Sequence, residues 1–182
     1  MNNELPKRKN IRIPGYDYSK PGYYFITICT KNRKNILSRI VGVGVPDDPY
    51  NKYVKKQLQN CDNYQIQLTY IGTIVEKYIN SINYIYKEIK IDNYVIMPNH
   101  VHMVCVISKN NNESSRTPNR TKVQIPFLVS TFKRFINKEC NNSIWQRNYY
   151  EHVIRNENEY IKILEYIENN PFDWKNDKYF LE

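Results

Sequence analysis

Two histidines two residues apart, His100 and His102, form the most chemically suggestive pair in the chain. They sit in Met97-Pro98-Asn99-His100-Val101-His102-Met103. On a strand, residues i and i+2 point to one face. Both imidazoles then project together, while Val101 points the other way, into the core. Paired imidazoles suit a divalent metal. Cys105 lies an odd number of residues away and faces opposite, which argues against a His/Cys zinc site, and no HExxH occurs. The same spacing fits two histidines that merely pack. H-x-H alone is a common accident; that two of the chain's 3 histidines are paired here adds a little weight to a site.

Two further places combine useful side chains. Tyr166 and Asn170 are four residues apart in a helical pattern and share a face, one turn apart. Glu159 and Lys162 continue that stripe, and the apolar stripe of Tyr160, Ile163, Leu164 and Ile167 runs beside it. Tyr166 is thus placed at the edge of the buried face, where a boundary tyrosine with a solvated hydroxyl is the plainer account. The segment Trp145–Asn156 (WQRNYYEHVIRN) mixes aromatic rings with Gln146, Arg147, His152 and Arg155. Such a mixture suits phosphate contact and base stacking, or simply a solvated strand face.

The elements that must position these residues follow from periodicity. Tyr23–Thr30 (YYFITICT) reads as a strand after the Pro21-Gly22 turn. Ile71, Ile74, Val75, Tyr78, Ile79, Ile82 and Ile85 recur as one helical face. Strands at about Lys90–Met97 and His100–Ile107, joined at Pro98-Asn99, make an antiparallel hairpin. A helix over about Ile125–Glu139 buries Ile125, Leu128, Val129, Phe132, Phe135 and Ile136, with Lys133, Arg134 and Lys138 on its other side. An extended piece near Trp145–Ile154 precedes a last helix at about Asn156–Asn170, which Pro171 stops. The order β-α-β-β-α-β-α predicts an α+β, ferredoxin-like antiparallel sheet with helices packed on one face. A single domain over 1–182 is expected, with a variable insertion at about 31–63 and a mobile basic loop at about 109–122.

The 182 residues carry a net charge of +9, which favours a polyanionic partner. No apolar run is long enough for a membrane span, and no export signal is visible, so no membrane partner is expected. Cys29, Cys61, Cys105 and Cys140 are widely spaced and form no CxxC, which predicts reduced thiols and a cytoplasmic protein.

PGYYFITICT, NYVIMPNHVHMVCVI and IWQRNYYEHVIRNENEYIKILEYIENNP, in this order and at these distances, resemble the HUH single-tyrosine transposases, and especially the branch associated with REP elements. The resemblance implies the HUH endonuclease fold, a catalytic Tyr166, and Mg²⁺ or Mn²⁺ held by His100, His102 and Asn170. Tyr149, Tyr150 and Tyr160 are rival nucleophiles, but none has an amide four residues on. The implied reaction is cleavage of single-stranded DNA at or near hairpins through a 5′-phosphotyrosine, followed by rejoining. Lys162, one turn before Tyr166, is a candidate for lowering its pKa. Lys133, Arg134, Lys138, Gln146, Arg147, His152 and Arg155 are the candidate DNA contacts. The implied partner is hairpin-bearing single-stranded DNA, with nucleoid association when bound. The family holds dimers and monomers, so a homodimer stays open, as does the subunit that each tyrosine helix serves. A host-serving nickase of genomic palindromes and a non-catalytic nucleic-acid hairpin-binding protein are the alternative readings.

Overall fold

Gly22–Cys29 forms β1, a run of aromatic and β-branched residues whose last six are buried. In the computed structural model, which describes residues 15–42, 56–57, 64–108 and 124–180, this strand is the organising element. It pairs antiparallel on one side with β6 (His100–Ile107) and on the other with β7 (Tyr150–Ile154). β5 (Ile89–Ile96) joins β6 through the Pro98-Asn99 turn, so the sheet runs β5-β6-β1-β7. The strand that carries both histidines is therefore internal.

The intervening chain adds strands that periodicity did not predict. β2 (Ser38–Gly42), β3 (Lys56–Gln57) and β4 (Tyr64–Leu68) form a second sheet in the order β2-β4-β3. β2 and β3 are too short or too irregular to show a period-2 signal, whereas β4 alternates strictly over its five residues, YQIQL. Leu37, Ile66 and Leu68 from this region are nonetheless core residues. The rest of the stretch expected as an insertion, 43–55 and 58–63, lies outside the described residues, as does the expected loop at 109–122.

α1 (Tyr70–Ile85) and α2 (Ile125–Glu139) pack against each other. Thr69 caps α1 by accepting from the Gly72 amide, and α2 starts at Ile125-Pro126, where a missing N–H costs nothing. Two residues expected on the buried faces are not buried. Ile85, in the last turn of α1, is 67% exposed, and Phe135 of α2 is 42% exposed. Phe135 instead lies parallel to the Tyr78 ring of α1, centroids 6.0 Å apart, and seals the helix pair from outside. Strand alternation sends Tyr24, Ile26 and Ile28 to one face of β1, all fully buried, and Phe25 and Thr27 to the other. The expected layout, helices on one face, describes α1 and α2. α3 (Glu157–Asn169) serves the opposite face, where its Tyr166 ring meets Phe25 and His102.

One close approach locks α1 to the hairpin turn. The Leu37 carbonyl accepts from both the amide and the hydroxyl of Thr69, and the Leu37 amide donates to the Pro98 carbonyl. A Cβ on Gly72 would stand 2.0 Å from that Leu37 oxygen. Gly72→Ala should therefore destabilise the fold by about 1–3 kcal/mol, although alanine is the better helix former. Urea unfolding checks this; a stabilised variant would mean that α1 is not held against Leu37.

Candidate active site

Because β6 is internal and its neighbours are bulky, His100 and His102 are fully buried. His102 is paired in register with Thr27, and His100 with Cys29. Their Nε2 atoms lie 2.9 Å apart. Each ring is oriented from its far side. Asn99 donates its amide to the Arg33 and Tyr179 carbonyls, which leaves its Oδ1 to accept from His100 Nδ1 at 2.9 Å. The Thr27 hydroxyl lies 2.8 Å from His102 Nδ1. With the Nδ1 positions protonated, each Nε2 presents a lone pair to the other. A proton on one nitrogen, or a cation shared by both, relieves that repulsion. Burial pushes the His100 pKa down to about 4, against the opposing pull of the Asp177 carboxylate. Burial also holds His102 well below the ordinary value, and the neighbouring His100 adds to the effect. Both imidazoles are neutral at physiological pH and available as ligands.

The opposite wall comes from α3 and the chain beyond it. Asn156 caps α3 by accepting from the Glu159 amide, and Glu157 and Glu159 place negative charge in its first turn. Glu159 also accepts from the Arg155 amide and meets His152 Nε2 at 2.6 Å, which ties the helix to β7. So fixed, α3 brings the Tyr166 hydroxyl to 3.2 Å from His102 Nε2. One turn later Asn170 is buried, its Nδ2 donating to Asp177 Oδ2 at 2.7 Å. Its Oδ1 is buried with no hydrogen-bond partner among the described residues. An orphaned amide oxygen beside two imidazole lone pairs and a carboxylate is a fitting donor set for a divalent cation.

Asp177 is the residue that sequence reasoning missed. After Pro171 the chain makes a short 3-10 turn at Trp174–Asn176 and folds back over the histidines. The Trp174 and Tyr179 rings cover His100, with centroids at 5.9 and 4.6 Å. Asp177 then faces inward, and ligand atoms of His100, His102 and Asp177 all lie within 4.8 Å of one another. Its Oδ2 also accepts from the Tyr166 hydroxyl at 3.2 Å. Burial, with the Asp177 charge added, pushes the Tyr166 phenol well above the usual tyrosine value. Nothing periodic marks Asp177; the sole sequence signal is an acid between two aromatic residues beyond a helix stop.

The remaining predicted residues lie around this centre. Lys162 is exposed on α3, while the phenol oxygen has His102 and Asp177 in reach. Lys133 turns inward and donates to the Gln146 and Asn148 carbonyls at 2.9 and 3.0 Å, and burial lowers its pKa to about 8. Arg134, Lys138, Arg147 and Arg155 are exposed, and Gln146 and His152 are partly so. Of the rival tyrosines, Tyr149 donates to Glu151 at 2.7 Å and Tyr160 donates to Asp92. Tyr150 is exposed near Phe25.

Comparison with known proteins gives the family. A Haemophilus influenzae protein described as uncharacterised is 31% identical over 190 residues, covering 96% of this chain and 94% of its own. A second protein of that organism, named as a REP-associated tyrosine transposase, is 25% identical over 167 residues, covering 85% of this chain and 73% of its own. Among solved structures, a REP-associated tyrosine transposase bound to a REP hairpin superposes with a TM-score of 0.57 at 18% identity, over 90% of this chain and 74% of that one. The family model described as IS200-like transposase matches residues 50–170, which include the histidine pair, Tyr166 and Asn170, and the chain belongs to that family.

Proposed function

We propose that this transposase cuts and rejoins single-stranded DNA with Tyr166 as its nucleophile. The observation that carries the reading is the Tyr166 hydroxyl, 3.2 Å from both His102 Nε2 and Asp177 Oδ2 at the edge of a neutral histidine pair. The phenol oxygen forms a bond to phosphorus, the P–O3′ bond breaks, and the products are a 5′-phosphotyrosine and a free 3′-hydroxyl. The phenol proton passes to Asp177 Oδ2, which already accepts a hydrogen bond from it, and from there, directly or through solvent, to the leaving 3′ oxygen. Attack by a 3′-hydroxyl reverses the step, so rejoining needs no outside energy.

His100, His102, Asp177 and the Asn170 Oδ1 would hold Mg²⁺ or Mn²⁺. A cation there supplies positive charge that offsets Asp177 and polarises the oxygens of the scissile phosphate. Thr27 and Asn99 keep the imidazoles oriented, and the Trp174 and Tyr179 rings exclude water. The hairpin in the solved relative supports a hairpin-bearing substrate here. The net charge of +9 and the exposed Arg134, Lys138, Arg147 and Arg155 support phosphate contact.

Single-stranded hairpins from DNA flanking the gene, mixed with protein and Mn²⁺, should give a covalent adduct on a denaturing gel. Tyr166→Phe and His100→Ala should each remove it, a loss of at least about a thousandfold for the nucleophile. Hairpin binding without any wild-type adduct would favour the non-catalytic alternative. Asp177→Asn should reduce the rise in melting temperature on adding Mn²⁺; an unchanged rise would remove Asp177 from the ligand set. The histidine shifts also set an acid dependence. The folded pKa values lie below the unfolded value near 6.5, so unfolding takes up protons. Stability is full above about pH 6.5 and falls as pH drops towards 4. Glu139 and Glu159, whose pKa values are lowered from 4.5, act from the lower end of that window downward. Urea unfolding of the cation-free protein at pH 7 and pH 5 reads it, and a flat profile would mean that the imidazoles are solvated.

A further inference from the structure

We infer that Tyr150 and Lys178 form a subsite for the nucleotide beside the scissile phosphate, with the Tyr150 ring stacking its base and the Lys178 ammonium meeting its phosphate. The inference rests on the Tyr166 reading and adds the residues that hold the strand.

Position comes from sheet register. Tyr150 on β7 is paired with Thr27 on β1, and Thr27 is paired with His102 on β6. Directly paired residues of antiparallel strands share a face. Tyr150, Thr27 and His102 thus stand in one row, with two strand spacings, about 10 Å, between the outer members. An extended strand crosses that span within a couple of nucleotides. Phe25 fills the angle between them, its ring 5.2 Å from His102, 6.1 Å from Tyr166 and 6.4 Å from Tyr150.

Accessibility distinguishes Tyr150 from its neighbours. β7 is the edge strand of the four-stranded sheet, and Tyr150 is 42% exposed. Phe25 beneath it is buried, so the platform is backed by packed core. Charge completes the site. The exposed Lys178 ammonium sits 5.5 Å from the Tyr150 centroid and 4.9 Å from that of Tyr179. Arg33 lies over the other ring of this group, 5.4 Å from the Tyr179 centroid, and donates to the Lys178 carbonyl at 3.0 Å, which holds that stretch of chain in place. An exposed ring with a cation above it, one row from the nucleophile, matches the alternation of base and phosphate along a single strand.

The test reads binding rather than cleavage. The full chain is titrated in EDTA with a short mixed-sequence single strand and with an abasic strand of the same length. Tyr150→Ala should weaken the mixed-sequence strand about tenfold and leave the abasic strand within about twofold, and Tyr150→Phe should behave as wild type. Lys178→Gln should weaken both strands and lower the salt slope by about 0.7, the share of one phosphate contact. Wild-type affinity for both strands in Tyr150→Ala, or equal losses on both, would overturn the stacking role. An unchanged salt slope in Lys178→Gln would overturn the phosphate contact. A chain that gives no covalent adduct but shows the base-dependent loss would sink the nucleophile reading and leave the subsite standing.

Discussion

Two neutral imidazoles with their Nε2 atoms 2.9 Å apart, in a place water does not reach, impose the constraint around which the molecule is built. Protonating either ring would place an unsolvated charge in the core. Leaving both nitrogens as lone pairs sets them against each other. The arrangement persists because it is fixed from outside: by Thr27 on the neighbouring strand, by Asn99 at the hairpin turn, and by strand pairing on both sides of β6. Asn99 has the widest reach, since its amide also ties in the Arg33 and Tyr179 carbonyls. One buried side chain thereby joins the hairpin turn, the exit of β1 and the returning C-terminal segment.

The other half of the site is mounted separately. α3 is amphipathic, with Ile167 buried and Tyr160, Ile163 and Leu164 partly buried against the core, so its packing holds the middle of the helix rather than its ends. Its N-terminus is pinned instead by the Asn156 cap and by Glu159, which engages both the Arg155 amide and His152. Its far end is pinned by Asn170 and Asp177. Tyr166 lies between these two anchors at 37% exposure, supported by Phe25 and open to a strand arriving from solvent. Rigid histidines and a tyrosine on a helix held at its ends set a fixed centre beside a more accessible hydroxyl.

Much of this was legible in the sequence because it rests on short-range periodicity. Alternation about Val101 gave the shared face of His100 and His102, and the i, i+4 spacing gave that of Tyr166 and Asn170. The helix over Ile125–Glu139 has the predicted bounds. What was not legible depends on tertiary geometry. Phe135 fits the apolar stripe of α2, yet it lies at the outer edge of the contact with α1, where the Tyr78 ring stacks on it and 42% of its surface stays exposed. Lys133 looks like a surface cation, but the loop before β7 wraps its ammonium with carbonyls. β2 and β3 are too brief for a period, although β4, YQIQL, does alternate. Asp177 reaches the site through a turn after Pro171, and no spacing rule predicts where such a turn returns.

Asp177 also changes the electrostatic reading of the centre. Without it, two imidazoles and an amide would be a neutral set with little hold on a hard divalent ion. With it, the set carries one negative charge, placed where it raises the Tyr166 pKa and accepts the phenol hydrogen bond. The same carboxylate would repel an approaching phosphodiester. That repulsion must be offset by positive charge at the site, and the exposed Lys178 and the nearby Arg33 supply only part of it, from the rim. A centre whose phenol is held protonated by a carboxylate, and whose imidazoles are kept neutral by burial, would stay chemically quiet until positive charge is added between them. The arrangement suits an enzyme that acts on DNA, since a standing tyrosinate would meet phosphodiesters at every encounter.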